Sequence, residues 1–196
     1  MSITFSTPGG FFEWSPAAWL RVTGPDALSF LQGQFSQDLR PVAAAARGSE
    51  PAYGLWLTLK GKVEADGFVF RGESADEFWI GSYFSRASVI RARLEGFIIA
   101  DDVTIEDQTD AWTGITWVGE APPVPAGVFA FTGRRGFPVS RDGVYRRDAR
   151  VDAVGSRLDT ETVERARIAA RIPAVPVDAG PGDLPNEADL DAAAVS

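Results

Sequence analysis

An α+β fold organised round an antiparallel hairpin is what this sequence predicts, on three observations. Residues 53–71 hold two runs of period-two alternation joined at Lys60-Gly61-Lys62. The elements around them run strand–strand–strand–helix–strand with short connections, an order that speaks against a doubly wound parallel sheet. With 196 residues, 45% of them hydrophobic, the chain can bury a sizeable core as one large domain or two small ones.

In chain order, residues 7–13 read as a loop entering a strand, and residues 19–23 as a short alternating strand. Gly24-Pro25 breaks it, and Pro25 suits the first turn of a helix. Leu28, Leu31, Phe35 and Leu39 then recur at helical spacing, predicting a helix to about Leu39. Gly33 inside it costs roughly 1 kcal/mol relative to alanine and points to a close backbone approach. Gln32, Gln34, Gln37 and Asp38 form either its solvent side or a pocket rim. Residues 41–51 read as a connector.

In the hairpin, Tyr53, Leu55, Leu57 and Leu59 fall on one side of the first strand, and Gly54, Trp56, Thr58 and Lys60 on the other. Gly61 can take the positive φ of the turn. On the return run Asp66, Phe68 and Phe70 share one side, and Val63, Gly67 and Val69 the other.

A strand at 77–82 follows, through Phe78 and Ile80. Ser85 is the expected N-cap of the next helix, with Ile90, Leu94 and Phe97 inward and Gly96 at its end. Residues 103–107, 112–119 and 128–132 read as strands, the last two separated by a proline-rich loop at 121–127. Residues 134–138 read as a turn. Asp159 or Thr160 caps a helix to about Ala170, buried along Val163, Ala166 and Ala170, and Leu184 and Leu190 anchor the tail.

Composition removes several chemistries. The chain has no histidine and no cysteine, which excludes Ser-His-Asp and Cys-His catalysis, thiolate metal sites and a disulfide framework. Carboxylate, hydroxyl, guanidinium and backbone chemistry remain. A formal charge of −8 argues against nucleic acid as the partner. No apolar run approaches the roughly 20 residues of a membrane span, and the N-terminus has no signal-peptide pattern, so a cytoplasmic location is expected. The acids Asp101, Asp102, Glu106 and Asp107 lack the loop spacing of a metal site and read as a solvated face. No metal is expected.

The candidate site is Asp66 in line with Phe68 and Phe70. A carboxylate beside aromatic rings suits a flat heterocycle bearing N–H groups: the rings line its plane and the acid accepts from it. The alternative is an acid near a hairpin end that points into water.

Residues 20–39, Leu-Arg-Val-Thr-Gly-Pro-Asp-Ala-Leu-Ser-Phe-Leu-Gln-Gly-Gln-Phe-Ser-Gln-Asp-Leu, resemble the N-terminal motif of the folate-binding YgfZ proteins. These are relatives of the glycine-cleavage T-protein, a tetrahydrofolate-dependent aminomethyltransferase. That superfamily carries a tyrosine strand leading to a Gly-Gly-x-x-Asp-Asp turn. Tyr53 matches its tyrosine, Gly61 its first glycine, Ala65 its first acid and Asp66 its second. Residues 165–173 and 184–188 resemble its later Arg-x-Glu-Ala-Gly-x-Pro and Pro-x-Glu-Ala segments, with Ala169 at the glutamate and Arg171 at the glycine.

The resemblance implies two interleaved ferredoxin-like α+β units around a central folate-binding hole, without the family's C-terminal barrel domain. It would divide the chain into 1–48 plus 110–196 as the first domain and 49–109 as the second, lacking its usual completion. It also implies tetrahydrofolate or a derivative as cofactor. Asp66 would be the catalytic, folate-proximal acid, with Tyr53, Phe68, Phe70 and Phe35 lining the ring cavity. Ordinary core packing is the other reading of these four aromatics. By the same resemblance the partners are iron–sulfur client or assembly proteins. The YgfZ branch carries a cysteine motif just beyond the position of Ser196, so this chain is expected to be a fragment or a shortened member. Two alternatives stand beside that role: a folate-dependent one-carbon transferase, which Ala65 and Ala169 disfavour, and a non-catalytic interaction module of the same fold.

Overall fold

A computed structural model describes residues 9–195. The strands are β1 (Gly10–Trp14), β2 (Ala18–Thr23), β3 (Ala52–Leu57), β4 (Val63–Arg71), β5 (Glu77–Ser82), β6 (Thr104–Asp107), β7 (Trp112–Val118), β8 (Phe129–Phe131), β9 (Ser140–Arg146) and β10 (Ser156–Arg157). The helices are α1 (Ala27–Gln34), α2 (Arg40–Ala44), α3 (Ala87–Glu95), α4 (Thr160–Ala169) and α5 (Asp191–Ala194), with short 3-10 turns at Thr109–Ala111 and Pro185–Ala188. The class is α+β. Among the described residues no helix is long and apolar enough to cross a membrane.

The strands form two five-stranded sheets, ordered β10-β1-β7-β9-β8 and β3-β4-β5-β2-β6. Each belongs to its own compact unit. The first unit is built from residues 9–15 and Thr113–Ile172, the second from Pro16–Trp112 and 173–195. The expected division at 48/49 and 109/110 cuts across the second unit. The reason is pairing: β2 lies between β5 and β6, antiparallel to both, which ties residues 18–23 to the sheet of the hairpin.

In the first unit β1 runs parallel to β10 and antiparallel to β7. Its core gathers Ile115, Trp117, Val128, Ala130 and Tyr145. Strand β9 was not foreseen, because its sequence buries Asp142 and Gly143 where an alternating strand would carry apolar side chains. A Cβ at Gly143 would stand 2.7 Å from the Trp117 ring, so the glycine is what lets that indole lie on the strand. In α4, Asp159 caps the helix by accepting from the Thr162 amide at 2.7 Å. The stripe differs from expectation: Val163 and Arg167 are buried, whereas Ala170 is exposed. Arg167 tolerates burial because its guanidinium donates to the Ile172 carbonyl at 2.6 Å and to Glu164 at 2.8 Å.

The second unit is an antiparallel sheet covered on both faces. One face packs α1 and α3 through Leu20, Phe30, Leu31, Trp56, Val69, Ile80, Ile90 and Leu94. Against Leu55 and Val63 lies the returning segment 173–195, through Val175, Ala179, Leu190 and Ala194. Helix α1 ends at Gln34, earlier than expected. Phe35 is extended (ψ 146°) and bridges to Trp56, and Leu39 instead precedes α2, where a plain connector was expected. Leu59 is exposed at the hairpin tip, and a bulge between Trp56 and Leu57 returns Val63 to the side of Leu55 rather than that of Val69. Leu190 anchors the tail in full, whereas Leu184 keeps 38% of its surface exposed.

Candidate functional site

Asp66 lies in the middle of β4, opposite Leu55 of β3, with Tyr53 and Phe68 forming the next pair on the same face. The strand pleat therefore sets Tyr53 diagonally across from Asp66 on one face, within reach of its long side chain. The phenol donates to Asp66 Oδ2 at 3.0 Å. Two serines complete the shell: Ser82 Oγ and Ser85 Oγ donate to Oδ1 at 3.0 and 2.7 Å. Ser85 Oγ in turn accepts from the Asp66 amide at 3.0 Å and lies 3.1 Å from the Val175 carbonyl oxygen. Ser82 Oγ accepts from the Ser85 amide at 3.0 Å, closing the loop that carries both hydroxyls.

The result is a carboxylate only 4% exposed and oriented by three hydroxyl donors. Burying such a group is tolerable because its hydrogen bonds are made within the protein. It does not point into water, as the simpler reading of the sequence had it.

Aromatic rings adjoin it. Phe68 packs against Tyr53 (5.0 Å between centroids), Tyr83 (5.5 Å) and Phe70 (6.2 Å). Phe70 continues the cluster to Trp19 at 5.2 Å. Both phenylalanines are buried.

The fold thus brings Asp66, Tyr53, Phe68 and Phe70 together and leaves Phe35 out. Phe35 packs at a tilt against Trp56, 4.7 Å between centroids, on the opposite face of the sheet, filling the space that a side chain at Gly54 would take. Ser82, Tyr83 and Ser85 are the neighbours that the sequence reading missed. Ser85 was expected to cap α3, but Arg86 holds the cap position and makes no side-chain cap bond. Two serines three apart, closing a strand end beside aromatics, were the available signal.

Among the described residues no group of three or more His, Cys, Asp or Glu is placed to hold a metal ion. Two of the acids in the 101–107 stretch are engaged through their carboxylates, and a third through its backbone. Asp102 donates its amide to Asp26, Glu106 pairs with Arg21 at 3.2 Å, and Asp107 accepts from the Thr109 amide.

No protein-family model and no curated protein matches the chain. Solved structures do. The crystal structure of glycine cleavage system aminomethyltransferase T from Bartonella henselae matches with a TM-score of 0.74 at 16% identity, over 95% of this chain. The fold is T-protein-like. This chain spans 57% of the length of that structure, and at such identity the likeness carries the architecture alone. Within the T-protein-like fold, the hairpin β3–β4 brings its tyrosine and its acid into hydrogen-bond contact, which the matched spacing of Tyr53 and Asp66 did not by itself require.

Proposed function

We propose that the protein binds a reduced folate, with Asp66 accepting from the N–H edge of the pterin and Tyr53, Phe68 and Phe70 serving its ring. The observation that carries this reading is the Asp66 carboxylate, buried and held in one orientation by Tyr53, Ser82 and Ser85 beside aromatic rings. An acceptor fixed in advance loses little rotamer freedom on binding, and in a buried site its hydrogen bonds count for more than in water. The T-protein-like fold supports the same ligand class, since the solved neighbour is an aminomethyltransferase of the glycine cleavage system.

Titration with tetrahydrofolate, followed by calorimetry or by quenching of tryptophan fluorescence, tests the proposal. Wild type should saturate. Asp66→Asn, which keeps the volume and removes the charge, should bind more than tenfold more weakly, as expected for losing a charge-assisted bond of about 1.5–3 kcal/mol. Absence of saturable binding at millimolar ligand overturns it.

The finer role we propose is that of a YgfZ-like protein in maintaining iron–sulfur enzymes, supported by the motif at 20–39. Cells lacking the protein should lose iron–sulfur enzyme activity and regain it with wild type but not with Asp66→Asn. One observation favours a second reading, the non-catalytic module: both carboxylate oxygens of Asp66 are already engaged by hydroxyls of the same unit. In that case Asp66→Asn lowers stability while no folate heat is seen in either protein. Ala65 stands where the superfamily has its first acid, so we expect no turnover of an aminomethyl donor.

A further inference from the structure

Leu59 stands at the tip of the β3–β4 hairpin with 92% of its surface open. A single exposed leucine needs no explanation, but this one has company. It borders a groove of about 750 Å³ between the hairpin tip and α3, whose apolar walls include Leu57, Val89, Ala92 and Phe97. Val89 and Phe97 are themselves 45% and 38% exposed. Sequence periodicity had turned Phe97 inward with Ile90 and Leu94. It instead lies under the Arg93 guanidinium, 4.6 Å from the ring centre, at the edge of the groove. Past Leu57 and Phe97 the groove opens into a second hollow of about 260 Å³ that reaches residues 33–36.

The charge here opposes that of the molecule. The chain carries a formal −8, yet its two lysines, Lys60 and Lys62, line this groove together with Arg93, and the one carboxylate among the lining residues is Glu64. Arg93 has structural duties, donating to Gln34 Oε1 at 2.7 Å and to the Leu57 carbonyl at 2.8 Å, with Glu64 at 3.1 Å. Lys62 donates to the Gly182 carbonyl. Lys60 is exposed at the rim.

We propose that this groove is a docking site for an acidic, apolar segment of a partner protein. Apolar side chains of the segment cover Leu57, Leu59 and Phe97, and its carboxylates meet Lys60 and the other cations of the rim. An apolar centre inside a charged rim is the ordinary anatomy of a protein interface. Charge complementarity selects an acidic partner, because a basic one would meet like charge at the rim. A peptide fits better than a compact small molecule, since Leu59 and Val89 stand on the rim and only a segment laid across it covers them. The site shares no residue with the Asp66 cluster and stands whether or not folate binds.

The test is selection of random linear peptides on the immobilised protein, with Leu59→Ser protein as counter-selection. Both Leu59→Ser and Lys60→Glu alter exposed side chains, and circular dichroism and thermal melting verify that they fold. Enriched peptides should combine apolar residues with Asp or Glu and bind wild type at least about tenfold more tightly than either variant. Amide signals of residues 57–64 and 89–97 should shift on titration. Failure to enrich any peptide, peptides that are basic or blind to both variants, or shifts elsewhere would overturn the proposal. So would Leu59-dependent binding to anionic phospholipid vesicles without peptide binding, which would assign the tip to a lipid surface.

Discussion

Removing the Asp66 carboxylate takes away the acceptor that three hydroxyls share. In Asp66→Ala the Ser85 hydroxyl can turn to the Val175 carbonyl at 3.1 Å, whereas Tyr53 and Ser82 lose the bond each makes to the carboxylate. The expected cost is about 1–3 kcal/mol in urea denaturation without ligand, larger than for Asp66→Asn, which retains an acceptor oxygen. Glu77 provides a pH-dependent counterpart. Burial alone would raise its pKa, but Arg21 at 3.2 Å and the Trp79 indole at 2.8 Å outweigh this and hold it below the ordinary 4.5. A depressed folded-state pKa adds stability that is complete above the unfolded value and disappears as the pH falls through the folded one. Arg21 is 39% exposed, so solvent screening trims the gain. Glu77→Gln should therefore be less stable by about 1 kcal/mol at neutral pH. The gap should close in melts carried progressively below pH 4.5.

At the scale of elements, β5 passes beneath Trp19 only because residue 81 has no side chain. A Cβ there would come within 2.5 Å of the Trp19 ring. Gly81→Ala should cost about 1–3 kcal/mol by thermal denaturation, the range for overpacking a core. Gly61, at φ 73° with open space around it, should accept asparagine with little loss. The β3–β4 hairpin was legible because alternation and a turn glycine agree with each other. Alternation could not show the bulge at Trp56/Leu57, which moves Val63 across the sheet. The helical spacing of Phe35 was real but was spent otherwise, as an extended residue against Trp56. Asp66, Phe68 and Phe70 could be grouped from period two alone, and Tyr53 joined them through the resemblance. Ser82 and Ser85 left only the weak signal of two serines three apart, because their pairing with Asp66 is set by packing between β4 and the end of β5.

For the molecule as a whole, the returning segment 173–195 matters most to the second unit. It buries Val175, Ala179, Leu190 and Ala194 against Leu55 and Val63, and the Val63 amide donates to the Asp183 carbonyl at 2.9 Å. A chain ending at residue 172 should lose several kcal/mol from this unit, at about 25 cal/mol per Å² of apolar surface re-exposed. Hydrogen exchange would read this as lost protection in β3 and β4. The α+β class was legible from element order, and the borders of the two compact units were not, since they follow from β2 pairing with two strands distant in sequence.

Each unit draws on two separated stretches of chain, which has a consequence for a protein emerging from the ribosome. Residues 16–112 leave the exit tunnel as one run and can pair their own strands at once, while Gly10–Trp14 must wait for Trp112–Val118 before either neighbour exists. Leu55 and Val63 stay uncovered until translation has passed Ala194, so nascent chains stalled before that point would present a sticky apolar face to chaperones.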